Sequence, residues 1–371
     1  MRILSLNMSE FLGGLEMISE TYFRELRERG VDISFLLLRD SLLHRRLREE
    51  YSDHLLPESY GGKLSPRLIA TIRQRVQEGS FDILHVHRSK DIWPASVAVR
   101  GLKTKLVYTS YNFLQNTLKR DPLHRVIYGR CDLLTVFSQP QRMGFLRCIP
   151  VPDEKVQVIP HGIDIARFNP ASVDAFAARS SFGLATEHLV VGVVGRIMPS
   201  KGQWILVSIA HRLLERFPHA RILYVGADSK GEEDRYFQSF KEDVHKQGLA
   251  SHILFTGFRS DIPECLAAMD VFVLPSQAEN FGTVLLEAMA MERPCLGTNS
   301  GGTPEILDGG KAGILFEPES PESLLKALMP VLERNDARKE WGERARKRIE
   351  EHYLLEDTMR QWITAYERLL A

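Results

Sequence analysis

The chain has 371 residues, 44% of them hydrophobic, and its 48 Lys+Arg balance 48 Asp+Glu. That length supports two domains each with its own core, and a neutral total charge without a recognised binding motif argues against nucleic acid as a partner. Four cysteines (Cys131, Cys148, Cys265, Cys295) form neither a close pair nor a metal-ligand spacing, so reduced, packed thiols in a cytoplasmic protein are expected. Short β-branched runs then alternate with longer amphipathic stretches along the chain. The first half predicts strands near 2–7, 32–38, 82–87, 105–109, 132–137 and 156–159; the second predicts them near 188–195, 220–226, 252–256, 271–274, 294–298 and 313–316. Helical patterns lie between them, such as Gly14 to Arg29 and Trp204 to Arg216, and an aromatic amphipathic helix closes the chain at about Leu355 to Leu370. Such alternation gives parallel sheets covered by helices on both faces, and two sets of strands imply two doubly wound domains that bind ligand at the carboxyl ends of the strands. The joint is expected between Asp164 and Leu189, where Phe168-Asn169-Pro170 breaks the pattern.

Charge is unevenly divided between the halves. Residues 1–165 carry 24 Lys+Arg against 19 Asp+Glu, and the remainder carries the opposite excess. Arg39, His44, Arg45, Arg46 and Arg48 cluster around Leu42, Leu43 and Leu47, and Arg67, Arg73 and Arg75 follow. A basic surface mixed with leucines suits an anionic bilayer or a phosphorylated lipid, although an ordinary solvated helix face reads the same way. The opening run Met1 to Asn7 is too short for a signal peptide, and no uninterrupted apolar run approaches the roughly 20 residues of a membrane span. Membrane contact would be peripheral, on the inner face of the cell membrane.

Five motifs carry chemistry. Gly13-Gly14 after the first strand lets backbone approach a ligand closely, and Glu16 is either a ligand contact or a first-turn acid that suits the helix dipole. His85 and His87 alternate on one strand and share a face, but no third ligand accompanies them, which leaves a metal site unsupported. Val158-Ile159-Pro160-His161-Gly162-Ile163-Asp164 leads out of the first half. The buried run Val191-Gly192-Val193-Val194-Gly195 delivers a glycine turn and then Arg196 and Lys201, a cradle for a diphosphate. The fifth is Ala278-Glu279-Asn280-Phe281-Gly282-Thr283-Val284-Leu285-Leu286-Glu287, two carboxylates around a loop that runs into a helix. The N–H groups at Gly282 and Thr283 suit a phosphate, Glu287 lies about one turn inside the helix within reach of sugar hydroxyls, and Glu279 precedes it on the entering loop.

Taken together and in this order, these pieces resemble the retaining nucleotide-sugar glycosyltransferases of the GT-B fold, specifically glycosyltransferase family 4, over nearly the whole chain. The resemblance implies two Rossmann-like domains facing a deep cleft: an acceptor-side domain at 1–165, a donor-binding domain at 166–354 and a C-terminal helix at 355–371 that crosses back onto the first domain. It implies that Glu287 binds the donor ribose and Glu279 sits by the donor sugar. Arg196 and Lys201 would hold the diphosphate, and Asn280 and the backbone around Phe281 to Val284 would contact sugar and phosphate. Gly13, Gly14 and Glu16 would line the donor diphosphate and acceptor, and His87 would reach the site of chemistry. Many members carry a threonine-x-histidine after the next strand; here Thr109-Ser110-Tyr111-Asn112 offers Tyr111, whose hydroxyl can donate the same kind of hydrogen bond. His161 stands where asparagine is usual, a hinge-region variation.

The implied reaction moves a sugar from a nucleotide-diphosphate-sugar to a hydroxyl with retained configuration, on a glycan or glycolipid in lipopolysaccharide, exopolysaccharide or glycolipid synthesis. No Asp-x-Asp pair is present to bind a divalent ion, so no metal or other cofactor is expected. Three alternatives compete. A nucleotide-sugar epimerase would share the nucleotide contacts, a nicotinamide-dependent dehydrogenase would need an absent Gly-x-Gly-x-x-Gly turn, and a catalytically degenerate binding subunit finds its support in Tyr111 alone.

Overall fold

A computed structural model describes residues 1–59, 65–111, 118–226 and 232–371; Asn112 lies outside the described residues. The chain divides into two compact units, Met1–His161 with Glu356–Ala371, and Gly162–Leu355.

The first unit holds seven parallel strands: β1 (Arg2–Asn7), β2 (Asp32–Leu38), β3 (Leu55–Glu58), β4 (Ile83–Val86), β5 (Lys105–Thr109), β6 (Leu133–Val136) and β7 (Val156–Val158). Their order is β3-β2-β1-β4-β5-β6-β7, so the chain begins in the middle of the sheet, winds outward to one edge and returns to fill the other. β4 is buried along its whole length, as a central strand covered on both faces must be. β3 is the strand that the alternation of the sequence does not announce. It is four residues long, contains Pro57 and pairs only with β2, and an edge is where a strand tolerates a proline that cannot donate. The final helix, Leu355–Leu370, packs into this unit from residue 356 onward: Met359, Trp362 and Tyr366 recur at helical spacing and are fully buried. Each such side chain contributes roughly 1.5–3 kcal/mol by leaving water.

The second unit holds six parallel strands: β8 (Leu189–Val194), β9 (Ala220–Val225), β10 (Ile253–Phe255), β11 (Val271–Leu274), β12 (Cys295–Thr298) and β13 (Ile314–Phe316), ordered β10-β9-β8-β11-β12-β13. Strand order reverses between β8 and β11, and at such a switch point the loops after the two strands part and leave room for a ligand. The joint falls at His161–Gly162, a few residues before the expected stretch. Ile163 bridges to Leu354, with its N–H donating to the Tyr353 carbonyl at 2.8 Å, so the chain already belongs to the second unit there. Phe168-Asn169-Pro170 is a capped turn inside that unit: Phe168 is buried and its carbonyl accepts from Arg346 at 2.8 Å.

In the basic helix Leu42–Tyr51, Leu43 and Leu47 point into the core, Arg46 pairs with Glu20 at 2.9 Å and Arg24 reaches Glu50, leaving an outer face that carries Arg45, Arg48 and one exposed leucine, Leu42. No helix among the described residues is long and apolar enough to cross a membrane.

Candidate active site

Loops at the carboxyl ends of β8, β11 and β12 assemble the site in the second unit. β8 ends at Val194, and the following loop runs through Gly195 to an exposed Arg196 and a short turn, Pro199–Lys201. Gln203 fixes this loop by donating to the Arg196 carbonyl at 2.8 Å, while its own carbonyl accepts from the buried Tyr224 hydroxyl at 2.8 Å. Lys201 is thereby aimed at the loop after β11, where its Nζ meets Glu279 Oε2 at 2.7 Å. The ammonium stays about one-third exposed while the carboxylate is 15% exposed, so the pair has one buried partner and one open side.

Glu279 leads through Asn280 and Phe281 to Gly282, which adopts the left-handed conformation (φ 65°) and starts the helix Thr283–Ala290. Gly282 has no side chain to cap the helix, so the N–H groups of the first turn keep their outward direction. The Phe281 ring is buried against Tyr353 at 5.9 Å, while Thr283 and Val284 stay half-buried at the helix start, where the backbone N–H groups are directed outward. Glu287 lies on the second turn of the helix. Burial raises its carboxyl from the ordinary value to about 7, and the charge of Arg167 works in the opposite direction. Arg167 also lines an open pocket with Ser260, Asp261, Pro263 and Glu264, which lies just beyond the β10 loop Thr256-Gly257-Phe258-Arg259.

A third loop, Asn299 to Thr303, was not singled out from the sequence. Gly302 N–H donates to the Glu279 carbonyl at 2.8 Å, Ser300 Oγ donates to the Gln277 carbonyl, and Thr298 Oγ1 donates to the Ser276 carbonyl at 2.7 Å. Gly301 sits between them at φ 61°, where a Cβ would lie 2.2 Å from the Glu279 carbonyl oxygen. The Ser-Gly-Gly-Thr run after a strand was the available signal: two glycines there point to a backbone pressed against another backbone.

In the first unit the expected residues are placed differently. Gly13 is the N-cap of the helix Gly14–Glu28, and Glu16 is buried, its Oε2 accepting from Gly13 N–H at 2.9 Å. The carboxylate closes a capping box at its own helix start. His87 is buried as well. Its Nε2 lies 2.9 Å from Ser5 Oγ and its Nδ1 2.8 Å from Tyr111 Oη, and loss of water lowers its pKa to about 3. With Ser5 and Tyr111 engaging both ring nitrogens, the imidazole is held neutral and beside the Tyr111 hydroxyl. His87 lies one residue past β4, where Ser5 of β1 and Tyr111 just beyond β5 enclose its ring. His85 shows the same: Thr109 Oγ1 lies 2.7 Å from Nε2 and Tyr366 Oη 2.8 Å from Nδ1. The two rings stand 4.1 Å apart on one face, and no group of three or more metal-ligating side chains occurs among the described residues. Tyr111 itself is buried with its ring edge on Phe137. His161 is buried against Tyr22, and burial lowers its pKa to about 4.

Two parallel-sheet Rossmann-like units and a phosphate-suited loop set at a strand switch define the architecture of a GT-B glycosyltransferase. Comparison with known proteins agrees. The profile described as Glycosyltransferase Family 4 matches residues 12–167, and that described as Glycosyl transferases group 1 matches residues 174–348. The chain is 24% identical to the UDP-Gal:alpha-D-GlcNAc-diphosphoundecaprenol alpha-1,3-galactosyltransferase of Escherichia coli over 89% of its length and 87% of the relative. It is 25% identical to the N-acetyl-alpha-D-glucosaminyl L-malate synthase of Bacillus anthracis over 97% of its length and 95% of the relative. Among solved structures, Anabaena HepE in complex with UDP-glucose superposes with a TM-score of 0.85 at 25% identity, covering 99% of both chains. The chain belongs to the family 4 glycosyltransferases, and its second half is a group 1 glycosyl transferase domain.

Proposed function

We propose that the protein transfers a sugar, with retained anomeric configuration, from a nucleotide-diphosphate-sugar to a hydroxyl of a glycan or glycolipid in lipopolysaccharide, exopolysaccharide or glycolipid synthesis. The observation that carries this reading is the Lys201–Glu279 pair, held between the Arg196 loop and the Gly282 helix start within one unit. In it, Arg196, Lys201 and the N–H groups of Gly282, Thr283 and Val284 take the diphosphate charge as it develops. Glu287 accepts hydrogen bonds from the ribose, and the pocket beside Arg167 receives the base. The bond from the anomeric carbon to the diphosphate breaks, the acceptor oxygen bonds to that carbon from the same face, and the acceptor proton passes to the departing phosphate oxygen. No metal is required, because the positive charge is already supplied by the protein.

The UDP-glucose complex of the Anabaena neighbour and the UDP-sugar named for the E. coli relative support a nucleotide-sugar donor. The same relative acts on a diphosphoundecaprenol-linked acceptor, which supports a lipid-linked acceptor and peripheral contact with the anionic inner face of the cell membrane from the cytoplasm. Calorimetric titration with UDP, GDP and ADP in the absence of metal tests the donor site. One nucleotide should bind, and Glu287→Ala and Arg196→Ala should each weaken it at least tenfold; no binding of any of the three overturns the reading.

A further inference from the structure

We propose that the first unit docks on an anionic bilayer through the segment Leu118 to Val126 and the outer face of the helix Gln139–Cys148, not through the basic helix Leu42–Tyr51. This rests on the membrane contact proposed above and names the surface that makes it.

Four of the large apolar side chains left in water fall in this stretch: Leu118 is 67% exposed, Leu123 52%, Val126 48% and Met143 65%. Leu123 and Val126 stand three apart on the helix Pro122–Gly129, so they share its outer face, while Ile127 and Tyr128 supply the buried one. The helix has two apolar faces, and the unit's core uses one. The segment before it is tied to the neighbouring helix: Lys119 N–H donates to the Cys148 carbonyl at 2.9 Å, and Arg120 Nε donates to the Arg147 carbonyl at 3.0 Å. Met143 and Arg147, four apart, share a face of that neighbour. Leu118, Arg120, Arg147 and Met143 thus continue the surface that Leu123 and Val126 begin.

Charge selects the occupant. Residues 118–148 carry Lys119, Arg120, Arg125, Arg130 and Arg147, besides an Arg142 that pairs with Asp153 at 2.5 Å, against the acids Asp121 and Asp132. Both acids are engaged locally: Asp121 caps its helix at His124 N–H (3.1 Å), and Asp132 accepts from Leu106 N–H at 2.8 Å. Exposed leucine, valine and methionine beside arginine and lysine match the two layers of an anionic membrane, apolar groups entering the acyl boundary and cations meeting phosphate. The Leu42–Tyr51 helix offers a single exposed leucine, Leu42, since Leu43 and Leu47 are spent in the core.

The test is co-sedimentation of the full chain with vesicles of equal parts phosphatidylcholine and phosphatidylglycerol, beside pure phosphatidylcholine. The wild type should bind the anionic vesicles, and added salt should weaken binding. Leu123→Asp combined with Val126→Asp, and separately Arg120→Glu combined with Arg125→Glu, should each reduce binding by about tenfold or more. Arg45→Glu combined with Arg48→Glu should change it little. Unchanged melting temperature and unchanged nucleotide affinity confirm that the variants fold. A wild type that binds and surface variants that bind equally well overturn this surface while keeping the membrane contact. A wild type that ignores anionic vesicles overturns both, and if it self-associates until Leu123 and Val126 are replaced, a second copy of the chain is the occupant instead.

Discussion

Glu287 carries its carboxyl where water is scarce, and the raised pKa of about 7 becomes a pH dependence of both stability and binding. A fold that raises a carboxyl's pKa favours the protonated form. That stabilising contribution is complete below the ordinary value of 4.5 and is lost as pH rises through about 7. Glu287→Gln should therefore match the wild type in melting near pH 4 and exceed it at pH 8, by on the order of 2 kcal/mol. Nucleotide affinity should run the other way: a ribose hydroxyl donates best to the ionised carboxylate, so binding should weaken as pH falls below about 7 in the wild type and stay flat in Glu287→Gln. Lys201 and Glu279 give a different signature. The carboxylate that aims the ammonium also repels an arriving phosphate, so Glu279→Gln should hold nucleotide diphosphate as tightly as the wild type or more so, yet lower turnover. Lys201→Ala should lose both, with the diphosphate affinity falling at least tenfold; calorimetry and donor turnover separate the two variants. That the Arg196–Lys201 loop and the Glu279 loop lie together was legible because both follow strands at the point where strand order reverses. The partners of His87, Ser5 and Tyr111, were not legible, because alternation on a strand gives a face and not what covers it.

Between elements, the loop after β12 holds the Glu279 backbone through the Gly302 N–H and holds Gln277 through the Ser300 hydroxyl, and glycine makes the close approach possible. Gly301 and Gly309 have nearly the same φ, 61° and 62°, but a Cβ at Gly301 meets the Glu279 backbone whereas one at Gly309 meets open space. Gly309→Ala should cost only the strain of the left-handed conformation, about 1 kcal/mol, and leave nucleotide binding intact. Gly301→Ala should cost more in melting temperature and also displace Glu279, so that nucleotide affinity drops and the added effect of Glu279→Gln disappears. All twelve strands expected from β-branched runs have counterparts, since buried parallel strands advertise themselves as continuous apolar runs. β3 stayed hidden because a short proline-containing edge strand has no such run, and the Gly301 clamp stayed hidden because a backbone contact between distant loops leaves no mark beyond the glycine itself.

At the scale of the whole chain, the two units differ in how they are assembled from sequence. The second is one continuous segment, Gly162–Leu355, whereas the first needs residues from both ends. Within the first unit the final helix is bound by more than apolar burial: Tyr366 Oη reaches His85 Nδ1 at 2.8 Å, and Thr358 Oγ1 donates to the Pro160 carbonyl at 3.0 Å. Removing residues 356–371 should leave 162–355 resistant to limited proteolysis while 1–161 becomes readily cut, read by mass spectrometry of the fragments. The aromatic stripe of this helix was plain in the sequence, but the exact joint was not: His161–Gly162 is set by the bridge from Ile163 to Leu354, nearly two hundred positions apart. On a ribosome this layout reverses the usual sequence of completion. The half made first waits, with the place of Trp362 and Tyr366 unfilled, until residues 356–371 are made, and the half made second can close before it. A message broken anywhere upstream of Glu356 then yields a product with an open core, visible to proteases before any misdirected sugar transfer begins.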